Sequence, residues 1–215
     1  MKNPFLRTLL TFVLSAALVW FFTLGRQGLH PIHLWNRALA DAAYVLLCLI
    51  LVIGPLAQFA PSVSALLPWR RELGVGFTAL AIAHVLVYAQ GDFGRFFVGQ
   101  EQHQSFLLHN AFAAANWIGL LALIYAIVLA LTSNDASQRL LGRGWKFLQQ
   151  QSYTLFILTL LHAGLLLYLF IREGFGLFRP LFWLGGLATV SLQLVGYTHT
   201  VYRQAQRRSR HQPRT

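Results

Sequence analysis

The chain of 215 residues is 56% hydrophobic and only 11% charged, with a formal net charge of +11. A soluble domain carries about a quarter of its residues charged, so this sequence lacks the polar residues needed to cover a globule. Its basic residues sit at the ends of apolar runs rather than in a continuous stripe, which excludes a nucleic-acid footprint, and the lone Cys48 excludes a disulfide framework. The composition is that of an integral membrane protein.

A membrane-crossing helix needs about 20 mostly apolar residues. The first candidate covers residues 5–24. Lys2 and Arg7 give it the look of a signal peptide, but its apolar run is too long and "TLGRQGLHP" follows with no small-residue cleavage site. It therefore reads as a retained helix. Further spans are expected at 41–60, 72–90, 111–131, 149–171 and 181–202, with Gly54-Pro55 in the second as the one candidate break. The expected fold is an all-α six-helix transmembrane bundle over residues 1–202, followed by a basic cytoplasmic tail, 203–215, as the candidate for disorder.

Counting Lys and Arg outside the spans gives twelve on the side of both termini and five on the other. The positive-inside rule then places both termini in the cytoplasm, in a bacterial inner membrane. The third and fifth spans run in the same direction, from inside to outside.

Eight histidines are present, and six of them lie in loops, near span ends or in the tail: His30, His33, His103, His109, His199 and His211. Each of these reads as an interfacial or solvated side chain. His84 and His162 differ, because each sits well inside an apolar span. Strongly polar groups there are costly and default to functional candidates, although one histidine can also simply bond a neighbouring helix. His84 lies twelve residues beyond Glu72 and His162 thirteen beyond Gln149. At roughly 1.5 Å per residue both reach nearly the same depth, in the outer half of the membrane. Two neutral imidazoles at one depth on separate helices can supply both axial nitrogens of a haem iron. Tetrahedral zinc would need four ligands, and no Cys, Asp or Glu nearby completes that set. Gly74, Gly76, Ala79, Ala81 and Ala83 beside His84 are small enough to let a flat ring lie against the helix, and serve plain helix packing equally well.

"PWRRELGVGFTALAIAHVLVY" resembles the third helix of the ferric-reductase-like transmembrane domains. "LALTSNDASQRLLGRGWKFLQQQSYTLFILTLLHA" resembles the fourth-to-fifth helix region of the same superfamily, nearest to the haem-binding membrane subunits of bacterial methionine sulfoxide reductase systems. The resemblance implies a six-helix bundle that binds b-type haem between helices three and five and passes electrons across the membrane. Its axial histidines carry over to His84 and His162. Members often have a second histidine where helix five begins; here Trp145 and Leu148 of that pattern are followed by Gln149. A second haem would need ligands about four turns below the first pair, where Leu148, Gln149, Arg70 and Arg71 stand, and none of these is a useful iron ligand. One haem is expected.

Gln149 has two readings: an interfacial helix start, or a position lining a quinone or flavin (FMN) site together with Arg70 and Arg71. No G-x-G-x-x-G motif follows a strand, so electrons are expected from a quinol or a separate flavoprotein. The acceptor is expected to be an extracytoplasmic reductase subunit. The competing reading is a membrane protein without redox function, such as a small transporter or an assembly or anchoring subunit, for which inverted repeats and broken helices would be the signature.

Overall fold

The computed structural model describes residues 3–26, 28–90, 106–170 and 178–211. His103 and the far end of the tail fall outside the described residues, as do the side chains of His109 and His211. The chain order is α1 (Pro4–Leu24), α2 (Pro31–Phe59), a 3-10 turn (Pro61–Leu66), α3 (Trp69–Ala89) and α4 (Phe106–Leu131). Two short helices follow, α5 (Asp135–Leu141) and α6 (Arg143–Gln150). Then come α7 (Ser152–Leu165), which runs into a π-helical turn (Leu166–Phe170), and α8 (Phe178–His211). Among the described residues six segments are long and apolar enough to cross a membrane, with α6 and α7 together forming most of the fifth. The protein is an all-helical, multi-pass membrane protein.

The helix starts are set by local chemistry. Asn3 accepts a hydrogen bond from the Phe5 amide at 3.0 Å with Pro4 at the first helical position, and Pro31 opens α2 in the same way. Asn134 caps α5 by accepting from the Ser137 amide at 2.8 Å. Gly142 joins α5 to α6 at φ +51°, a conformation costly for a side-chain-bearing residue.

The second span begins at Pro31, ten residues before the expected start at 41. The polar residues His33, Asn36, Arg37 and Asp41 depress the hydropathy there, yet all four lie on α2 and line an internal cavity. Asp41 is not at a helix end; it lies well inside α2 and pairs with the buried Arg26. Gly54-Pro55 does not break the helix either. Proline has no N–H for the Leu51 carbonyl four residues back, and the Gln193 side-chain amide of α8 donates to that carbonyl instead. This is how a membrane helix tolerates proline, through a neighbour that supplies the missing donor. Gly196 lets α8 come close at the same place, since a Cβ there would meet Pro55 at 3.0 Å.

Helix α2 forms the centre of the bundle. Ala38, Ala42, Leu46, Leu47 and Leu51 are at most 1% exposed, whereas α1 leaves Phe5, Phe12, Trp20 and Phe21 open. In water that arrangement would be inside out; in a bilayer the open aromatic and aliphatic faces meet lipid. Helix α8 runs unbroken through His211, so the basic segment is helical beyond residue 202 for another nine residues.

Candidate functional site

His84 is carried by α3 and His162 by α7, and both line one cavity of about 350 Å³ enclosed by α2, α3, α4, α7 and α8. That volume lies within the roughly 300–1,000 Å³ of small-molecule and cofactor sites. The lining is dominated by apolar groups, among them Phe77, Ala122, Ala126 and Leu155. Its polar lining includes His33, Asn36, Arg37 and Asp41 from the first turns of α2, together with Tyr44, Tyr88, Asn116 and Thr159.

Each imidazole is oriented by a backbone carbonyl of another helix. His84 Nδ1 lies 2.9 Å from the Asn36 carbonyl oxygen of α2, and His162 Nδ1 lies 2.7 Å from the Ala115 carbonyl oxygen of α4. A carbonyl can only accept, so in both rings Nδ1 carries the proton and donates. The Nε2 lone pair is thereby left for a metal, the arrangement that second-shell carbonyls impose on metal-binding histidines. The α2–α3 contact is reciprocal: the Asn36 amide donates back to the His84 carbonyl at 3.0 Å.

Gly119 of α4 completes the seat of His162. A Cβ at that position would lie 2.5 Å from Nδ1 and 2.6 Å from Cε1 of the ring, closer than such atoms come. Only glycine lets the imidazole rest on α4 where the Ala115 carbonyl can receive its proton.

Among the described residues no group of three His, Cys, Asp or Glu is placed to hold a metal ion. The pair therefore offers two nitrogens, as an iron requires when a planar ring supplies the other four. Haem fits the cavity on these grounds: two free imidazole nitrogens, an apolar lining, and a cationic Arg37 at the end where the ring's carboxylates would need polar company.

The other expected site residues are not gathered there. Arg70 donates from Nε to the Ile50 carbonyl at 2.9 Å, and its guanidinium packs beside Gly54. Arg71 reaches Asp135 at 3.4 Å. Gln149 donates to the Leu129 carbonyl at 3.4 Å and to Thr132 Oγ1 at 3.3 Å. None of the three lines the cavity. Sequence reasoning passed over Asn36, Arg37, Ala115 and Gly119. The roles of Asn36 and Ala115 rest on main-chain oxygens, which no residue type announces. A small residue on α4 looks the same whether it packs on a lipid or on a ring.

The chain is similar to the protein-methionine-sulfoxide reductase heme-binding subunit MsrQ of Agrobacterium fabrum, at 31% identity over 150 residues, which is 67% of this chain and 65% of the relative. It is also similar to the magnetosome protein MamZ of Paramagnetospirillum magneticum, at 29% identity over 69% of this chain, and to that of Magnetospirillum gryphiswaldense, at 28% over 66%. The matched part amounts to 65% of the first relative's length but only 24% and 21% of the two magnetosome proteins'. The pattern of the ferric reductase like transmembrane component matches residues 39–160, more than half of the chain, taking in His84, Arg70, Arg71 and Gln149 and stopping two residues short of His162. By that match, the chain belongs to the ferric-reductase-like transmembrane family.

Proposed function

We propose that the protein is a transmembrane electron-transfer subunit that holds one b-type haem between α3 and α7, with His84 and His162 as the axial ligands. One observation carries the reading: two imidazoles from separate helices, each with Nδ1 committed to a carbonyl and Nε2 left as the available donor, line one largely apolar cavity. Haem would supply a one-electron carrier there. The chain's own part is to hold both rings in one tautomer, to exclude water with Phe77, Ala122, Ala126 and Leu155, and to meet the carboxylates with Arg37. The heme-binding role in the name of the Agrobacterium relative supports the same cofactor.

Both termini face the cytoplasm of a bacterial inner membrane in this reading, with residues 1–202 as the haem domain and 203–215 as a basic cytoplasmic extension. The haem then lies toward the outer side, and the acceptor is an extracytoplasmic reductase subunit, for which methionine sulfoxide chemistry is the candidate. Electrons enter from a quinol or a flavoprotein at the cytoplasmic end, where Arg70, Arg71 and Gln149 mark a quinone or FMN site.

The test is an absorption spectrum of protein purified in detergent after expression with ample haem. A Soret band with the low-spin form of a six-coordinate iron, at a haem-to-protein ratio near one, is expected. A colourless protein under these conditions would refute the redox reading, and a ratio near two would refute the single site.

A further inference from the structure

A second cleft, of about 390 Å³, lies where α2 ends and α8 runs on alone. It is lined by Gln58 of α2 and by His199, Thr200, Arg203, Gln204 and Arg207 of α8. His199, Arg203 and Arg207 are spaced four residues apart, which sets them on one face of the helix, each about 6 Å from the next along its axis. Like charges at that spacing destabilise a helix, so the pair Arg203 and Arg207 calls for an anion.

The protein does not provide one among its described residues. The three described carboxylates, Asp41, Glu72 and Asp135, pair with Arg26, Arg7 and Arg71, and none lines this cleft. Neutral donors converge there as well. Thr200 Oγ1 donates to Gln58 Oε1 at 3.3 Å, which leaves the Gln58 amide NH₂ for a ligand, and Gln204 lines the same cleft. The His199 ring is held against Phe59 at 4.9 Å between centroids.

Its depth says which anion. Tyr197 and Tyr202, on the same stretch of α8, are 70% and 63% exposed, and Leu194, Val195 and Val201 beside them are exposed too. Tyrosines mark the headgroup level of a bilayer, and the exposed aliphatic residues show that the hydrocarbon-facing part of α8 ends at the level of the cleft. We infer that this cleft is a binding site for an anionic glycerophospholipid. The phosphodiester is held by Arg203 and Arg207 with Gln58 and Gln204 as neutral donors, and the acyl chains extend into the bilayer beside α8. Arginine suits this task because its planar fork matches two phosphate oxygens at once. The site is independent of the haem reading and stands or falls separately from it.

The experiment uses the full-length protein, delipidated in a neutral detergent and titrated with phosphatidylglycerol or phosphatidylcholine, with bound lipid counted by native mass spectrometry. The unaltered protein is expected to retain phosphatidylglycerol about tenfold more tightly than phosphatidylcholine. Arg203→Gln with Arg207→Gln should bring that ratio close to one, whereas the charge-matched control Arg139→Gln with Arg143→Gln should leave it in place. Equal loss in the control would show a general attraction to positive charge and overturn the site. Retention of the preference in the Arg203/Arg207 variant would overturn it as well. Displacement of phosphatidylglycerol by millimolar inorganic phosphate would assign the cleft to a soluble anion and overturn the lipid. Should the double variant fail to fold, Gln58→Leu, which removes a donor and no charge, is expected to weaken phosphatidylglycerol severalfold; no change there would sink the proposal.

Discussion

The two ends of the same helices use polar residues in opposite ways. Toward one end of α3 and α7, His84 and His162 are each bonded through Nδ1 to a neighbouring helix and line a shared cavity. Toward the other end, Arg70, Arg71 and Gln149 come from the same part of the bundle, but each is spent on its own partner: a main-chain carbonyl of α2, a carboxylate of α5, and a carbonyl and hydroxyl around the end of α4. Intramembrane polar groups are costly in both places. Convergence with a donor atom to spare marks the histidine end, whereas a cofactor at the other end would have to compete with the bonds already made there.

The contrast breaks first at the ligands. His84→Ala and His162→Ala are each expected to abolish the six-coordinate spectrum, leaving apoprotein or a weakly held five-coordinate haem, whereas His30→Ala leaves the spectrum unchanged. A variant at either ligand with an unaltered spectrum would remove the distinction between the two ends. Next in size is Gly119→Ala. The added methyl must displace the His162 ring; overpacking of this kind costs about 1–3 kcal/mol, and losing the oriented ligand lowers cofactor affinity by roughly 10–100-fold. Haem titration of the apoprotein measures it, and wild-type affinity would mean that α4 yields without consequence.

Smaller effects sharpen the comparison. Asn36→Ala removes the amide that donates to the His84 carbonyl but leaves the main-chain oxygen that orients the ring. The expected result is a loss of about 0.6 kcal/mol, the average for interhelical bonds in a membrane protein, in thermal unfolding, with an intact spectrum. A spectral change would show that side chain and main chain at residue 36 act as a unit. Smallest is Arg71→Ala. With Arg71 52% and Asp135 78% exposed, the pair contributes less than about 1 kcal/mol, so stability and spectrum should hold while reduction by a quinol or flavoprotein slows. An unchanged reduction rate would confine the Arg71 end to adhesion.

Much of this was readable in advance. Six apolar runs reported six spanning segments because a bilayer leaves the backbone few alternatives to a helix. His84 and His162 stood out for a related reason: a titratable ring inside an apolar run is expensive wherever the neighbouring helices happen to lie. The same hydropathy reasoning misplaced the start of α2, since His33, Asn36, Arg37 and Asp41 look like interface until a cavity and Arg26 are there to receive them. It also suspected a break at Pro55 that Gln193, 138 residues later in the chain, makes unnecessary.

The sequence by itself determined the solvent, the number of spans and the two residues worth watching, because those follow from the cost of putting each side chain into hydrocarbon. Only the tertiary structure decided that the two imidazoles share a cavity, which of their nitrogens is free, and that Gly119 must have no side chain. Those outcomes depend on carbonyl oxygens and empty space contributed by other helices, and neither is encoded in the type of any single residue.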